Sequence, residues 1–427
     1  MLGIFLGLAL LMILAYRGMS IIWIAPICAM VVALTGGLEL LPTYTGAYMD
    51  GFVGFTKSWF PTFMFGAIFG KIMDESGAAK SIAVWITNVI GGKRAILAIV
   101  LGCSVLTYGG ISLFVVVFAI YPLALALFRE ANITRKLIPG SIALGAFGYT
   151  MTAVPGSPQI QNLIPMKYFG TTPTAAPILG IVATIIMFAL GMLWLTYREK
   201  KYTTAGEVFT EPDKAVEEFS HDNMMNPILA FLPLVVVIIV LNVLKQNIVV
   251  ALVAGVITGI AVGFSRLKNL VKTVNAGAAG SVLAIINTSA AVGFGSVVKS
   301  VPGFADLTNM LLGIGGNPLI SEAVAVHVLA GATGSASGGM GIALEALGAK
   351  YMELSASSGI DPQAFHRIAS ISSGGLDTLP HNGAVLTLLA VTGLTHKDSY
   401  LDIMMTSLVN PIVAGIVCII LAGIGVL

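Results

Sequence analysis

A polytopic all-α membrane protein, built as two related halves, is the fold class this sequence predicts. Three observations predict it. Hydrophobic residue types make up 57% of the 427 residues and charged types only 10%, well below the roughly one-quarter charged share of soluble domains. The apolar residues fall into long runs separated by short charged punctuation. The same order of motifs then occurs twice along the chain. At about 20 apolar residues per membrane helix, the composition allows at most about twelve spans. A soluble enzyme, a disordered scaffold and a disulfide-stapled secreted domain are excluded on these numbers. A net charge of +2 offers no strong field for nucleic acid. Cys28, Cys103 and Cys418 sit in apolar runs without metal or redox spacing and read as buried filler.

The first apolar stretch, Met1 to Tyr16, lacks a basic start and a small-residue cleavage site, so it reads as the first span and not as a removable signal. Uninterrupted spans are expected at 1–16, 20–36, 174–197, 227–244, 247–264 and 403–427. Apolar regions broken by Gly, Pro, Ser and Thr fill 51–75, 94–128, 136–168, 277–300, 318–346 and 366–395. Between 198 and 226 lie 11 of the 42 charged residues (Arg198, Glu199, Lys200, Lys201, Glu207, Glu211, Asp213, Lys214, Glu217, Glu218 and Asp222), of mixed sign, as expected of a solvated cytoplasmic linker. The chain therefore divides into a first membrane repeat at 1–197, this linker at 198–226, and a second repeat at 227–427.

Basic residues set the orientation. Arg17, Lys71, Lys93 with Arg94, Arg129, Arg135 with Lys136, Arg198 with Lys200 and Lys201, Arg266 with Lys268 and Lys272, and Lys397 are expected in the cytoplasm. The sparsely charged loops at 38–50, 167–174 and 245–247 are expected outside. Lys93/Arg94 and Arg129 belong on one side but flank one apolar stretch, which predicts a re-entrant hairpin at 94–129. Its turn is Thr107-Tyr108-Gly109-Gly110-Ile111-Ser112. A second hairpin, at 318–346, turns at Gly331-Ala332-Thr333-Gly334-Ser335-Ala336-Ser337-Gly338-Gly339.

Glycine pairs 109–110 and 338–339 stand 229 residues apart, and Phe65-Gly66 and Phe294-Gly295 share that offset. Each hairpin precedes a basic start (Arg135 and Lys136, then His366 and Arg367) and a helix broken at proline. The first break runs Thr152-Ala153-Val154-Pro155-Gly156-Ser157-Pro158-Gln159-Ile160-Gln161-Asn162, and the second runs Gly374-Gly375-Leu376-Asp377-Thr378-Leu379-Pro380-His381-Asn382-Gly383. Each half thus reads as three spans, a hairpin, a broken helix and a closing span. That totals ten spans and two hairpins, with the halves inverted and both termini outside. Inverted repeats with discontinuous helices are the architecture of secondary transporters, with the site near the midplane.

A backbone break inside hydrocarbon leaves polar groups whose exposure to lipid costs several kcal/mol each, and it survives where it lines a cavity. Helix N-termini at such breaks favour anions, hydroxyls bond carboxylates or cations, and glycine permits close approach. Packing alone is the competing explanation for any one glycine, but four clusters at matching places favour a site. The candidate substrate-binding residues are Thr107, Tyr108, Gly109, Gly110, Ser112, Thr152, Gly156, Ser157, Gln159, Asn162, Thr333, Ser335, Ser337, Gly338, Gly339, Thr378, His381 and Asn382. Gln159, Gln161 and Asn162 suit substrate contact and tying of the break equally. Ionisable residues within the membrane usually line pathways. Asp377 and His381 are therefore the candidate proton carriers, with helix capping the alternative for Asp377. His327 reads as a core histidine and Glu345 as the far end of the second hairpin. Lys71, Asp74 and Glu75 read as surface residues.

The FGAIFGKIMDESGAA stretch from Phe65, the TAVPGSPQIQN break and the SSGGLDTLPHNGAV break resemble the gluconate permease (GntP) family of the ion transporter superfamily, over most of the chain. The resemblance implies proton-coupled uptake of a small hydroxylated monocarboxylate, such as gluconate or 3-hydroxybutyrate, across the bacterial inner membrane by alternating access. The first break, Val154-Pro155-Gly156-Ser157-Pro158, differs from the His-Pro and Pro-Pro pairs of gluconate members, so short hydroxy acids, 3-hydroxybutyrate first, fit the resemblance at least as well as gluconate. The resemblance also implies a homodimer. The superfamily's dicarboxylate branch makes sodium the alternative coupling ion. No resident cofactor or metal is expected. The rival classes are an intramembrane hydrolase, built from Ser335 or Ser337 with His327 or His381, and an anion channel. Neither a His-Glu-x-x-His motif nor a P-loop occurs, and duplication has no role in a hydrolase. Concentrative, saturable uptake separates a symporter from a channel.

Overall fold

The computed structural model describes residues 1–91, 94–212, 224–312 and 316–427, and among these residues there is no strand. The first half begins with α1 (Leu2–Tyr16), α2 (Ile21–Thr35), a short α3 (Leu40–Thr43), a π-helical turn and α4 (Met49–Glu75). After α5 (Ala78–Ile90), α6 (Ala95–Tyr108) and α7 (Leu113–Glu130) form the first helical hairpin. The first broken helix comprises α8 (Ile138–Ala146), α9 (Tyr149–Thr152) and α10 (Ile160–Phe169), and α11 (Pro177–Thr204) closes the half. The second half repeats the order. α12 (Pro227–Ile238, extended by a π turn to Val243), α13 (Ile248–Gly263) and α14 (Leu270–Ser300) are followed by α15 (Gly303–Leu312). The second hairpin is α16 (Pro318–Thr333) and α17 (Ala336–Ser358). The second broken helix is α18 (Pro362–Ser373), a 3₁₀ turn and α19 (Gly383–Thr392), and α20 (His396–Met404) with α21 (Asn410–Gly423) closes the chain.

Helix starts in the second half are written into the sequence. Asn226, Asn247, Asn269, Asn317 and Asp361 each accept a hydrogen bond from a backbone N–H of the first turn of α12, α13, α14, α16 and α18. Proline follows three of them, at the first helical position, where its missing donor costs nothing. α7, α11, α14 and the α20–α21 stretch are long and apolar enough to cross a membrane. Their exposed faces carry large apolar residues such as Phe118, Leu193, Leu283 and Ile420, as lipid-facing helices require.

Two of the longest helices, α4 and α14, pack against each other at the centre. A Cβ on Gly277 would lie 2.6 Å from Ile68 Cα, and one on Gly293 2.9 Å from the Tyr48 carbonyl oxygen, so small residues let these backbones meet. α1 and α2 build one apolar cluster with the C-terminal half of α14, around Leu11, Ile24, Cys28, Phe294 and Val297. A larger cluster unites the first hairpin, both broken helices and the closing spans. Pairing crosses between halves: α10 packs on α17 and α18, and α19 packs on α7 and α8. All three cysteines are buried and free.

Several boundaries differ from expectation. Residues 51–75 and 277–300, read as broken, lie in unbroken helices, because their glycines serve helix contact rather than helix termination. Residues 40–50 are helical and not an outward loop. The short α5 and α15, absent from the sequence reading, follow the third helix of each half. α17 runs on to Ser358, so Glu345 lies mid-helix, where it accepts from the Tyr168 hydroxyl at 3.0 Å. α11 continues to Thr204, so Arg198 belongs to a helix and not to a linker. Arg198 is buried against Asp402 of α20 at 2.8 Å, and Trp194 donates to the same carboxylate at 2.9 Å. The remaining start of the linker is docked: Glu207 pairs with Lys136 and Glu211 with Arg129, both at 2.7 Å. Lys93 and Asp213, Lys214, Glu217, Glu218 and Asp222 lie outside the described residues.

Candidate functional site

Each hairpin turn meets the break of its own half. At the first turn Gly110 adopts φ +95°, a left-handed conformation that favours glycine, and a Cβ there would approach Pro158 to 3.2 Å. The Gln159 side-chain amide donates to the Thr107 carbonyl at 2.6 Å and to the Ile111 carbonyl at 3.3 Å. The Tyr108 hydroxyl donates to the Pro155 carbonyl at 3.2 Å. Gly109 lies under Leu234 of α12, and Asn242 from the π turn of that helix donates to the Gly156 carbonyl at 2.9 Å. In the second half Asn382 donates to the Gly334 carbonyl at 2.8 Å, and the His381 ring covers Gly334 so closely that a Cβ would lie 2.9 Å from it. Ser337 reaches Thr288 of α14 at 3.3 Å and Ser335 at 3.5 Å.

The two breaks also touch. Ser370 donates to the Thr152 carbonyl at 2.7 Å, and a Cβ on Gly374 would strike the Thr152 methyl at 2.8 Å. Arg367, fully buried, donates to Asn162 Oδ1 and to the carbonyls of Ala153 and Ala175 at 2.7–3.2 Å. Asn162 in turn donates to the carbonyls of Ser157 and Pro173, and His366 lies 2.6 Å from the Thr171 hydroxyl. The carbonyls released by the first break are thus largely bonded by protein. The side chains of Ser157, Asn162, Thr333 and Thr378 are each spent on backbone: Ser157 on Thr150, Thr333 on Leu329, and Thr378 on Gly375. Gly339 brings the second hairpin's arms together, since a Cβ there would overlap Ala330.

The two halves treat their helix N-termini differently. Ser335 caps α17 through Gly338 N, and Asn382 caps α19 through the N–H groups of Ala384 and Val385. Ser112 and Gln159 precede α7 and α10 without side-chain capping bonds. The helix starts at the first turn and the first break thus lack side-chain acceptors, and the Thr107 hydroxyl of that turn is buried and unpartnered. Acid–base groups concentrate at the second break. Asp377 is buried with Oδ1 unpartnered, and the His327 ring lies against Gly375, where a Cβ would come within 2.4 Å of it. His327, read as a core histidine, has an unpartnered Nδ1 and packs on Gly375, which precedes Asp377 by two positions in the sequence.

A groove of about 460 Å³ runs between the first turn, α11 and α12, lined by Leu101, Tyr108, Gly109, Val154, Phe188 and Phe231 among others. Its walls are almost all carbon, so it flanks the polar cluster rather than offering an anion its donors. No cluster of three or more metal-ligating side chains occurs among the described residues. Sequence reasoning passed over two residues. Arg367 was read only as the basic start of a helix, and Glu322 was not singled out, although a lone acid in the apolar run 318–333 is a sufficient signal.

Comparisons place this architecture among known proteins. The model of the GntP family permeases matches residues 1–247. An uncharacterized transporter of Bacillus subtilis, YxjC, is 45% identical over 95% of both chains. An uncharacterized transporter of Haemophilus influenzae is 27% identical over 48% of this chain and 47% of its own. Among solved structures, the YdaH transporter of Alcanivorax borkumensis superposes with a TM-score of 0.57 over 88% of this chain and 87% of that one, at 15% identity. That likeness is one of fold.

Proposed function

Because the chain belongs to the GntP permease family, we propose that this transporter carries a small hydroxy-monocarboxylate together with protons, by alternating access. The substrate is 3-hydroxybutyrate, gluconate or a similar acid. Membership makes the protein a membrane transporter and not an enzyme. The asymmetry between the two breaks carries the finer reading. Helix N-termini at Ser112 and Gln159, without side-chain caps, suit a carboxylate, which gains from the dipole. The second break supplies a carboxyl, Asp377, with an unpartnered oxygen, and the His381 imidazole, while His327 of α16 packs on Gly375.

In this mechanism the anion binds between the turns and the breaks, and a proton on Asp377 or His381 offsets its charge. A lone buried charge is costly to move through low dielectric, so the hairpin and broken-helix unit shifts when both are bound or both absent. The two repeats, 1–197 and 227–427, are inverted in this reading and lie in the bacterial inner membrane with both termini outside. The linker, 198–226, is cytoplasmic, and the working unit is a homodimer.

Uptake into proteoliposomes tests the proposal. Under an inward proton gradient without sodium, 3-hydroxybutyrate or gluconate should accumulate above its equilibrium level and saturate. Accumulation driven by sodium alone would replace the coupling ion, and equilibration without accumulation would make the protein a channel.

A further inference from the structure

We infer that Glu322 is a proton-binding site on the second hairpin, separate from the break, which loads and releases a proton during the transport cycle. The inference rests on the symport reading above. Glu322 is fully buried, and neither carboxyl oxygen has a hydrogen-bond partner. It lies four residues into α16, about 6 Å along the axis from the end remote from the turn. No ion pair involves it among the described residues.

The groups on the packed elements explain this isolation. α17 presents Tyr351, whose hydroxyl lies 3.3 Å from Ser321 on Glu322's own helix. Of α18, His366 and Arg367 are engaged at the first break by Thr171, Asn162 and the Ala153 and Ala175 carbonyls. The 3₁₀ turn carries Asp377, near the opposite end of α16. Asp306 of α15 is exposed, α21 offers only Cys418, which donates to the Leu179 carbonyl, and α1 has no charged side chain from Leu2 to Ala15. An ionised carboxylate in such surroundings costs several kcal/mol even after relaxation. The charge balance therefore calls for a proton on Glu322 whenever the side chain is buried, and the reaction is simple loss of that proton to water when water reaches the carboxyl.

The same helix couples the event to transport. The other end of α16 is the turn bonded by Asn382 and covered by His381. Between them stands His327, five residues beyond Glu322 and about 7.5 Å along the axis. Displacement of the hairpin during alternating access moves both ends together, so hydration of Glu322 and opening of the second break become one event.

Glu322→Gln mimics the protonated side chain and tests the inference in the full-length protein. In proteoliposomes the variant should retain counterflow of radiolabelled 3-hydroxybutyrate or gluconate, whichever the wild type carries, and lose accumulation driven by a proton gradient. Retained accumulation, or loss of counterflow as well, overturns the inference. Infrared difference spectroscopy supplies a readout independent of substrate. A protonated-carboxyl band of the wild type should vanish as pH rises, be absent from Glu322→Gln and be shifted in Glu322→Asp. A band that survives at all pH values, or one unaltered by both variants, also overturns it. If the wild type carries none of the acids, the transport reading fails while the infrared result still decides the proton site.

Discussion

The guanidinium of Arg367 donates to Oδ1 of Asn162 at 2.9 Å, joining the two broken helices through a fully buried charge. The remaining donors reach the carbonyl of Ala153, where the first break begins, and that of Ala175, in the loop between α10 and α11. The fork geometry of arginine serves these acceptors at once, which a lysine ammonium cannot do. Arg367→Ala is therefore expected to destabilise the protein by about 3–5 kcal/mol, the scale of removing one partner from a buried charged network. Arg367→Lys should recover part of this. Thermal unfolding in detergent checks both, and an unchanged midpoint for the alanine variant would remove Arg367 from the scaffold.

Gly375 and His327 make a second exacting contact. A Cβ at residue 375 would lie 2.4 Å from the imidazole, and the glycine follows a helix end where the chain has no slack. Gly375→Ala should impair transport and lower stability by about 1–3 kcal/mol, the range for overpacking. Adding His327→Ala opens the space the methyl needs. The double variant should then regain stability relative to Gly375→Ala, giving a non-zero coupling energy in a double-mutant cycle. Additive effects would show that the two side chains do not share this space.

How much of this was legible depends on what each residue type must do. The turns and breaks were readable because Gly109-Gly110, Pro155 and Pro380 stand in clusters of Gly, Pro, Ser and Thr that recur in the same order in both halves, whereas lone prolines such as Pro61 and Pro122 stay inside helices. The continuous courses of α4 and α14 were not readable, since Gly277 and Gly293 serve a helix partner, and a glycine for packing looks the same in sequence as one for a turn. Asn162 was readable equally as a substrate contact and as a tie of the break, and the partner that makes it a tie, Arg367, lies 205 residues away. Asp402, likewise, sits in a polar stretch near Lys397 and Asp398, and only folding reveals that it is buried against Arg198. Asp377 and His381 stand where the sequence put them, at a break beside a hairpin turn. What their side chains carry is decided by chemistry that the backbone pattern does not encode.

The docked start of the linker should respond to acid. Hydrogen bonds from Arg129 hold the Glu211 carboxyl below the usual carboxylate range. A carboxylate with a depressed value contributes docking above its ordinary pKa and loses it as pH falls through the depressed one. Protection factors of the amides around residues 207–212, which remove the intrinsic pH dependence of exchange, should therefore be high at neutral pH and fall under acid, with Arg129→Gln low at both. Equal protection in the variant and the wild type at neutral pH would mean that apolar contacts, such as Phe209 beneath the Arg129 guanidinium, hold the segment alone.

Asp377→Asn separates coupling from binding at the second break. The carboxyl is buried with Oδ1 unpartnered, and asparagine fills nearly the same space without a titratable proton. If the proton that offsets the substrate's charge rides on this group, the variant should fold and bind substrate. It should exchange internal for external substrate, yet fail to accumulate it against a gradient. The unpartnered oxygen matters to this expectation: a purely capping aspartate would be satisfied by the helix it starts, and its replacement by asparagine, itself a good cap, would cost little. Uptake and counterflow measured side by side in proteoliposomes decide between the two. Near-normal accumulation by Asp377→Asn would assign the residue to the architecture of the break and move the coupling proton to His381 or to another buried group.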